Sequence, residues 1–157
     1  MTKRVLLTGM SGTGKSTVLN QLTELGFGTI DTDYDGLTVE VDSGHGFERL
    51  WREDRIQQVL SANAADVVFI SGTARNQVKF YPQFDHIVLL SAPAPVLVER
   101  LTTRSNNPYG KNADELAETL RYIDTVEPLL RAAATLEIDT SVPLEQVILA
   151  VLEHVRP

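Results

Sequence analysis

Gly9-Met10-Ser11-Gly12-Thr13-Gly14-Lys15-Ser16 decides the reading of the chain. The octapeptide fits G-x-x-x-x-G-K-[ST] at every fixed position and follows the apolar run Val5-Leu6-Leu7-Thr8. Behind it, Lys15–Leu25 places Val18, Leu19, Leu22 and Leu25 on one helical face, and Gly26 supplies a stop. Strand, glycine-rich turn and amphipathic helix in that order form the context the motif needs. The glycines let the backbone curl so that successive N–H groups point inward, and the helix adds its positive end. Lys15 would reach the β- and γ-phosphates of a nucleoside triphosphate, and the Ser16 hydroxyl would ligate Mg²⁺. Gly9, Ser11, Gly12, Thr13, Gly14, Lys15, Ser16 and Thr17 are therefore the candidate nucleotide contacts.

Outward from the loop, short apolar runs alternate with helical patterns. Val5–Thr8, Gly28–Ile30, Val67–Ile70, Ile87–Leu90 and Leu136–Ile138 read as strands, mostly continuous in apolar character, as in a parallel sheet covered on both faces. Helices are expected at Lys15–Leu25, Phe47–Leu60, Pro95–Arg104, Asp114–Ala134 and Pro143–Val155, with a break in the fourth at Pro128. The alternation predicts an α/β fold with a five-stranded parallel sheet flanked by helices. All 157 residues are expected to form a single domain, with an insertion at about 33–65 and a polar lid at about 104–112.

Charge and composition narrow the function classes. Fourteen Lys+Arg stand against 21 Asp+Glu, a net charge of -7, whereas nucleic acid and anionic membranes call for a basic face. The absence of cysteine removes disulfides, thiolate zinc sites and Cys nucleophiles. Val5–Leu7 is too short for a secretory core and no apolar run reaches spanning length, so a cytoplasmic protein is expected. Neither a monomer nor a homodimer is favoured.

The kind of nucleotide protein follows from what accompanies the loop. A guanine-reading [NT]-K-x-D segment is missing, because neither Lys79 nor Lys111 has Asp two places later. The most apolar strands end in Ser71-Gly72 and Ser91-Ala92, without the carboxylate of motor and transport ATPases. Asp31-Thr32-Asp33 stands directly after the second strand instead. Parallel strand ends meet at one crevice, and residues i and i+2 of an extended segment point the same way. One carboxylate could hold Mg²⁺ while the other takes the proton of an attacking hydroxyl. Asp31, Asp33, Asp35, Gly36 and Asp42 also spell much of a calcium loop, which requires an entering helix that the strand-like Gly26–Ile30 does not offer.

With the phosphate loop and Asp31-Thr32-Asp33, the chain resembles the shikimate kinase-like branch of small P-loop kinases, relatives of adenylate and gluconate kinases. An AAA-type ATP-binding description is compatible with the same motif. The resemblance implies a three-layer P-loop kinase fold, ATP and Mg²⁺ as cofactors, and a small hydroxylated molecule as acceptor. It assigns Mg²⁺ placement to Asp31 and the acceptor hydroxyl to Asp33. Trp51-Arg52 looks like the family's Phe-Arg substrate pair, Arg100 and Arg104 are similar to its lid arginines, and Asp139 falls where its adenine loop begins. Lys15, Asp33 and Arg104 are then the expected catalytic residues. Departures accompany the likeness: Ser71-Gly72-Thr73 replaces a glycine triplet, and Val126 stands where a substrate arginine is expected. Shikimate itself is therefore not the expected acceptor.

The remaining polar candidates have two readings each. Gly72, Thr73, Arg75 and Asn76 follow a buried strand and could contact substrate, or Asn76 could cap a helix. Arg52 could meet a substrate anion or pair with Glu48 one helical turn away. Trp51 fits substrate contact or plain core. His45, His86 and His154 lack zinc spacing. The expected activity is transfer of the ATP γ-phosphate to a metabolite hydroxyl. A nucleoside or nucleotide kinase is the alternative within enzymes, and an ATP-binding switch the alternative outside them.

Overall fold

The computed structural model describes residues 2–42, 44, 47–62, 65–103 and 112–156. Five parallel strands form the main sheet: β1 (Lys3–Thr8), β2 (Gly28–Asp31), β5 (Val67–Ser71), β6 (His86–Ser91) and β7 (Leu136–Asp139). Their spatial order is β2-β5-β1-β6-β7, which puts the strand leading to the glycine loop at the centre. Successive β1 residues face opposite sides, and both sides are covered. Val5 and Leu7 pack with Val18 and Leu22 of α1 (Lys15–Glu24) and Val151 of α6 (Leu144–Val155). Leu6 packs with Ile56 and Leu60 of α2 (Glu53–Ser61) and with Phe80 of a 3₁₀ segment, Arg75–Gln83. This double burial is why the strands carry continuous apolar runs. All five expected strands are present.

The helices after β6 also follow the sequence. α3 spans Ala94–Thr103, and the long pattern near Pro128 divides into α4 (Ala113–Thr125) and α5 (Glu127–Ala133) at Val126. Proline lacks an N–H and clashes with the preceding turn, so it falls in the first turn of the new helix rather than inside the old one. Met10 of the glycine loop packs with Leu89 and Leu130, linking α5 to the loop's underside.

The segment Phe47–Leu60 is the main correction. Its first five residues are not helical: β4 (Phe47–Trp51) pairs antiparallel with β3 (Thr38–Asp42), and α2 starts only at Glu53. Arg52 therefore precedes the helix. The hairpin is tied to the body at its base. The Arg52 amide donates to the Leu37 carbonyl at 2.8 Å. The Asn76 side chain takes both backbone groups of Trp51, accepting from its N–H at 3.0 Å and donating to its C=O at 2.9 Å. Asn76 thus acts on the backbone of another element rather than as a helix cap. Asn76→Ala should lower stability by about 1–2 kcal/mol, read as a shifted urea midpoint at constant slope.

At the opposite end of the strands, His86 and His154 stack edge-on at 4.8 Å, and His154 shares a hydrogen bond with Thr135 at 2.9 Å. Burial, then His154 and Lys3, hold the His86 imidazole below its ordinary 6.5, with Asp85 opposing. The unfolded chain therefore binds the proton first on acidification. This stability contribution is complete above pH 6.5 and declines as pH falls through the lower folded value. Thermal midpoints measured from pH 7.5 to 5.5 should fall, and His86→Gln should flatten that slope.

Candidate functional site

The glycine loop and the first turn of α1 form one wall of a cavity of about 450 Å³. Ser11, Gly12, Thr13, Gly14, Lys15, Ser16 and Thr17 line it, together with Asp33, Arg100, Thr140 and the apolar side chains of Val142, Leu144 and Val147. Gly9 stands at the loop's foot, where a Cβ would meet the Leu90 carbonyl oxygen at 2.3 Å and the Thr13 Oγ1 at 2.8 Å. Gly14 precedes α1 at φ 97°, without a side-chain cap, and no acidic residue occupies the helix's first turn. An uncapped helix start beside a ring of amides is built for an anion. Lys15 Nζ donates to the loop's own carbonyls, Gly9 at 2.5 Å and Met10 at 3.1 Å.

Asp31 ends β2 beside Ser71 of β5, so sheet pairing carries it to the cavity rim. Its half-buried carboxylate is hydrogen-bonded to the Ser16 side chain and feels the charge of Lys15. Burial foremost, and the negative Asp33 next, push its pKa above the ordinary carboxylate value, against the Asp33 N–H, Lys15 and Ser16. Two oxygen donors in direct contact, the Ser16 hydroxyl and the Asp31 carboxylate, suit a hard cation such as Mg²⁺.

The route by which the second aspartate reaches the cavity differs from expectation. Thr32–Tyr34 form a turn rather than an extended segment: the Asp33 N–H donates to Asp31 Oδ1 at 3.0 Å and the Tyr34 N–H to the Asp31 carbonyl at 3.2 Å. Thr32, 1% exposed, is the pivot, and its N–H and Oγ1 both donate to the Ser71 carbonyl at 2.9 Å. The same turn removes the calcium-loop alternative, because the segment is entered from a strand and Asp42 lies in β3.

At the end of β5, the Ser71-Gly72-Thr73 corner packs closely. A Cβ on Gly72 would lie 2.0 Å from Thr32 Oγ1 and 3.3 Å from Trp51 Nε1. Thr73 Oγ1 donates to the Gly9 carbonyl at 2.7 Å and lies 3.0 Å from Thr8 Oγ1, bracing the loop's entry. Arg75 pairs with Glu48 at 3.2 Å, so Glu48 does not take Arg52, whose side chain is exposed. Trp51 is 2% exposed and packs on Phe80 in the core, with its Nε1 hydrogen lacking a partner. Arg104, Lys111 and most of the expected lid lie outside the described residues. Arg100 does line the cavity, but its guanidinium is bonded to Gly12 and Thr140. Asp139 is exposed, and its carboxylate accepts the Ser141 N–H at 2.8 Å and Oγ at 2.6 Å, which lowers its pKa.

Sequence reasoning did not single out Arg49 and Thr140. Arg49 Nη2 donates to Thr38 Oγ1 at 2.7 Å and to the Asp33 carbonyl at 3.4 Å, a contact created by the unforeseen hairpin. Thr140 follows Asp139 directly, and nothing in its spelling marks it as buried at a strand end. No helix among the described residues is long and apolar enough to cross a membrane.

Sheet order, phosphate loop and paired aspartates define a P-loop protein of the kinase type. Residues 5–121 match the family described as AAA domain, and the chain belongs to it. The chain is 30% identical over 141 residues to a shikimate kinase of Caldicellulosiruptor bescii, covering 82% of this chain and 81% of that protein. A nucleotide-binding protein of Thermosipho africanus is 28% identical over 142 residues, and this chain spans 50% of its length. Among solved structures, shikimate kinase from Acinetobacter baumannii in complex with shikimate superposes with a TM-score of 0.66 at 19% identity, covering 100% of this chain and 97% of that one. A sugar kinase from Janibacter sp. gives 0.59 at 20% identity, covering 98% and 94%. At such identities the structural likeness speaks for the fold.

Proposed function

We propose that the protein transfers the γ-phosphate of ATP to a hydroxyl of a small metabolite. The observation that carries this reading is the contact of the Asp31 carboxylate with the Ser16 hydroxyl at the loop's mouth, with Asp33 lining the same cavity. Loop amides and Lys15 would bind and orient the triphosphate, Lys15 leaving the Gly9 and Met10 carbonyls to do so. Ser16 and Asp31 would hold Mg²⁺, which supplies charge neutralisation on the phosphate oxygens. Asp33 would position the acceptor hydroxyl and accept its proton. The single domain expected for the chain, with the hairpin as its acceptor wall, is part of this reading, as is a lid carrying Arg104.

A coupled ADP-release screen over polyols, sugars, nucleosides, nucleotides and hydroxylated antibiotics tests it. One acceptor should raise ADP release well above the background hydrolysis and appear as its phosphate ester. Activity should vanish in EDTA and return with Mg²⁺. The nucleotide-binding relatives, about twice as long as this chain, favour a second reading, a nucleotide-gated binding module. If no compound in the screen stimulates ADP release, while ATP alters affinity for another protein, that reading replaces the first.

A further inference from the structure

The carbonyls of the phosphate loop carry an unexpected network. A loop that turns its N–H groups toward an anion turns carbonyls the other way, and those carbonyls need partners. Arg100 Nη1 donates to the Gly12 carbonyl at 3.2 Å and to Thr140 Oγ1 at 2.9 Å, and its Nη2 donates to the Thr140 carbonyl at 2.6 Å. Thr140 Oγ1 donates in turn to the Thr13 carbonyl at 2.7 Å. The Thr140 N–H donates to the Ser91 carbonyl at 2.8 Å, and the residue is 8% exposed. Every polar atom of Thr140 is therefore engaged, and the network joins the loop to the ends of β6 and β7.

We infer that Arg100 and Thr140 are a positioning pair that fixes the phosphate loop to the turn after β7, and that Arg100 is not itself a phosphate ligand. The Gly12 carbonyl shares a peptide plane with the Thr13 N–H, and the Thr13 carbonyl shares one with the Gly14 N–H at the start of α1. Holding those two oxygens sets the tilt of two peptides of the loop, of which the Thr13 N–H donates back to the Met10 carbonyl at 3.3 Å. A chain of hydrogen bonds of this kind also polarises its members. The turn so fixed carries Val142 and leads to Leu144, both on the cavity wall, so the loop and that wall move as one body. The inference requires a nucleotide in the cavity and is independent of transfer to any acceptor.

Calorimetric titration with ATP, ADP and AMP tests the pair. Arg100→Met and Thr140→Val should each weaken ATP and ADP by the same factor, about tenfold. The double variant should bind no more weakly than the poorer single variant, because either change breaks the same network. Thr140→Ser keeps the hydroxyl and should bind like the parent, which also keeps the test decisive if Arg100→Met fails to fold. A loss much larger for ATP than for ADP in Arg100→Met would make Arg100 a direct phosphate ligand and overturn the inference. Unchanged affinity in Thr140→Val, or additive losses in the double variant, would overturn it equally. Absence of nucleotide binding by the parent protein would instead strike the functional reading beneath it.

Discussion

Asp33→Asn is expected to bind ATP with unchanged affinity and to transfer its γ-phosphate about 10²–10⁴-fold more slowly, the range spanned by general-base groups. The substitution is nearly isosteric, so it separates charge from shape. The bonds that shape the turn come from the Asp33 backbone: its N–H on Asp31 and its C=O on Arg49. An amide side chain disturbs neither, so loss of transfer without loss of folding isolates the carboxylate. Rates should be measured with the acceptor selected by the ADP-release screen, and ATP affinity by calorimetry. Full activity in Asp33→Asn would remove the residue from the proposed chemistry.

Gly72→Ala should damage stability and transfer together. Its Cβ would stand 2.0 Å from Thr32 Oγ1, far inside contact distance, and 3.3 Å from the buried Trp51 Nε1. Thr32 can yield only by breaking its bond to the Ser71 carbonyl. It is the residue between the two aspartates, so whatever moves it moves both carboxylates. Overpacking of this size costs about 1–3 kcal/mol, and transfer should fall further than the folded fraction does. Adding Thr32→Ala opens the space, and the double variant should regain stability relative to Gly72→Ala alone. No regain would place the clash elsewhere.

The sheet was legible because burial on both faces writes itself into sequence: Val5-Leu6-Leu7 and Ile87-Val88-Leu89-Leu90 leave no other element to propose. The hairpin was not. Phe47, Leu50 and Trp51 stand at helical spacing, yet the strand is decided by partners distant in sequence, Leu37 for the Arg52 amide and Asn76 for the Trp51 backbone. The alternation in Thr38-Val39-Glu40-Val41-Asp42 was the available signal, and it bears on β4 only once the two segments pair. The placement of Asp33 on the cavity was readable from chain order, although the Asx turn that achieves it was not, since side-chain-to-backbone bonds compete with extended structure at aspartate. The Arg100 and Thr140 network joins residues 40 positions apart, beyond the reach of any local pattern.

The attachment of the hairpin has an evolutionary corollary. Leu37 and Arg52 face each other across one backbone hydrogen bond, so the intervening segment leaves and re-enters the fold at nearly a single point. Its tip, beyond the Glu40–Arg49 pair, can be lengthened, shortened or exchanged for another shape while Arg49, Trp51 and the contacts they make with Asp33 and Asn76 stay where they are. On the proposed reading, acceptor choice is thereby separable from phosphate handling, and a graft between Glu40 and Arg49 is the natural place to retarget the protein.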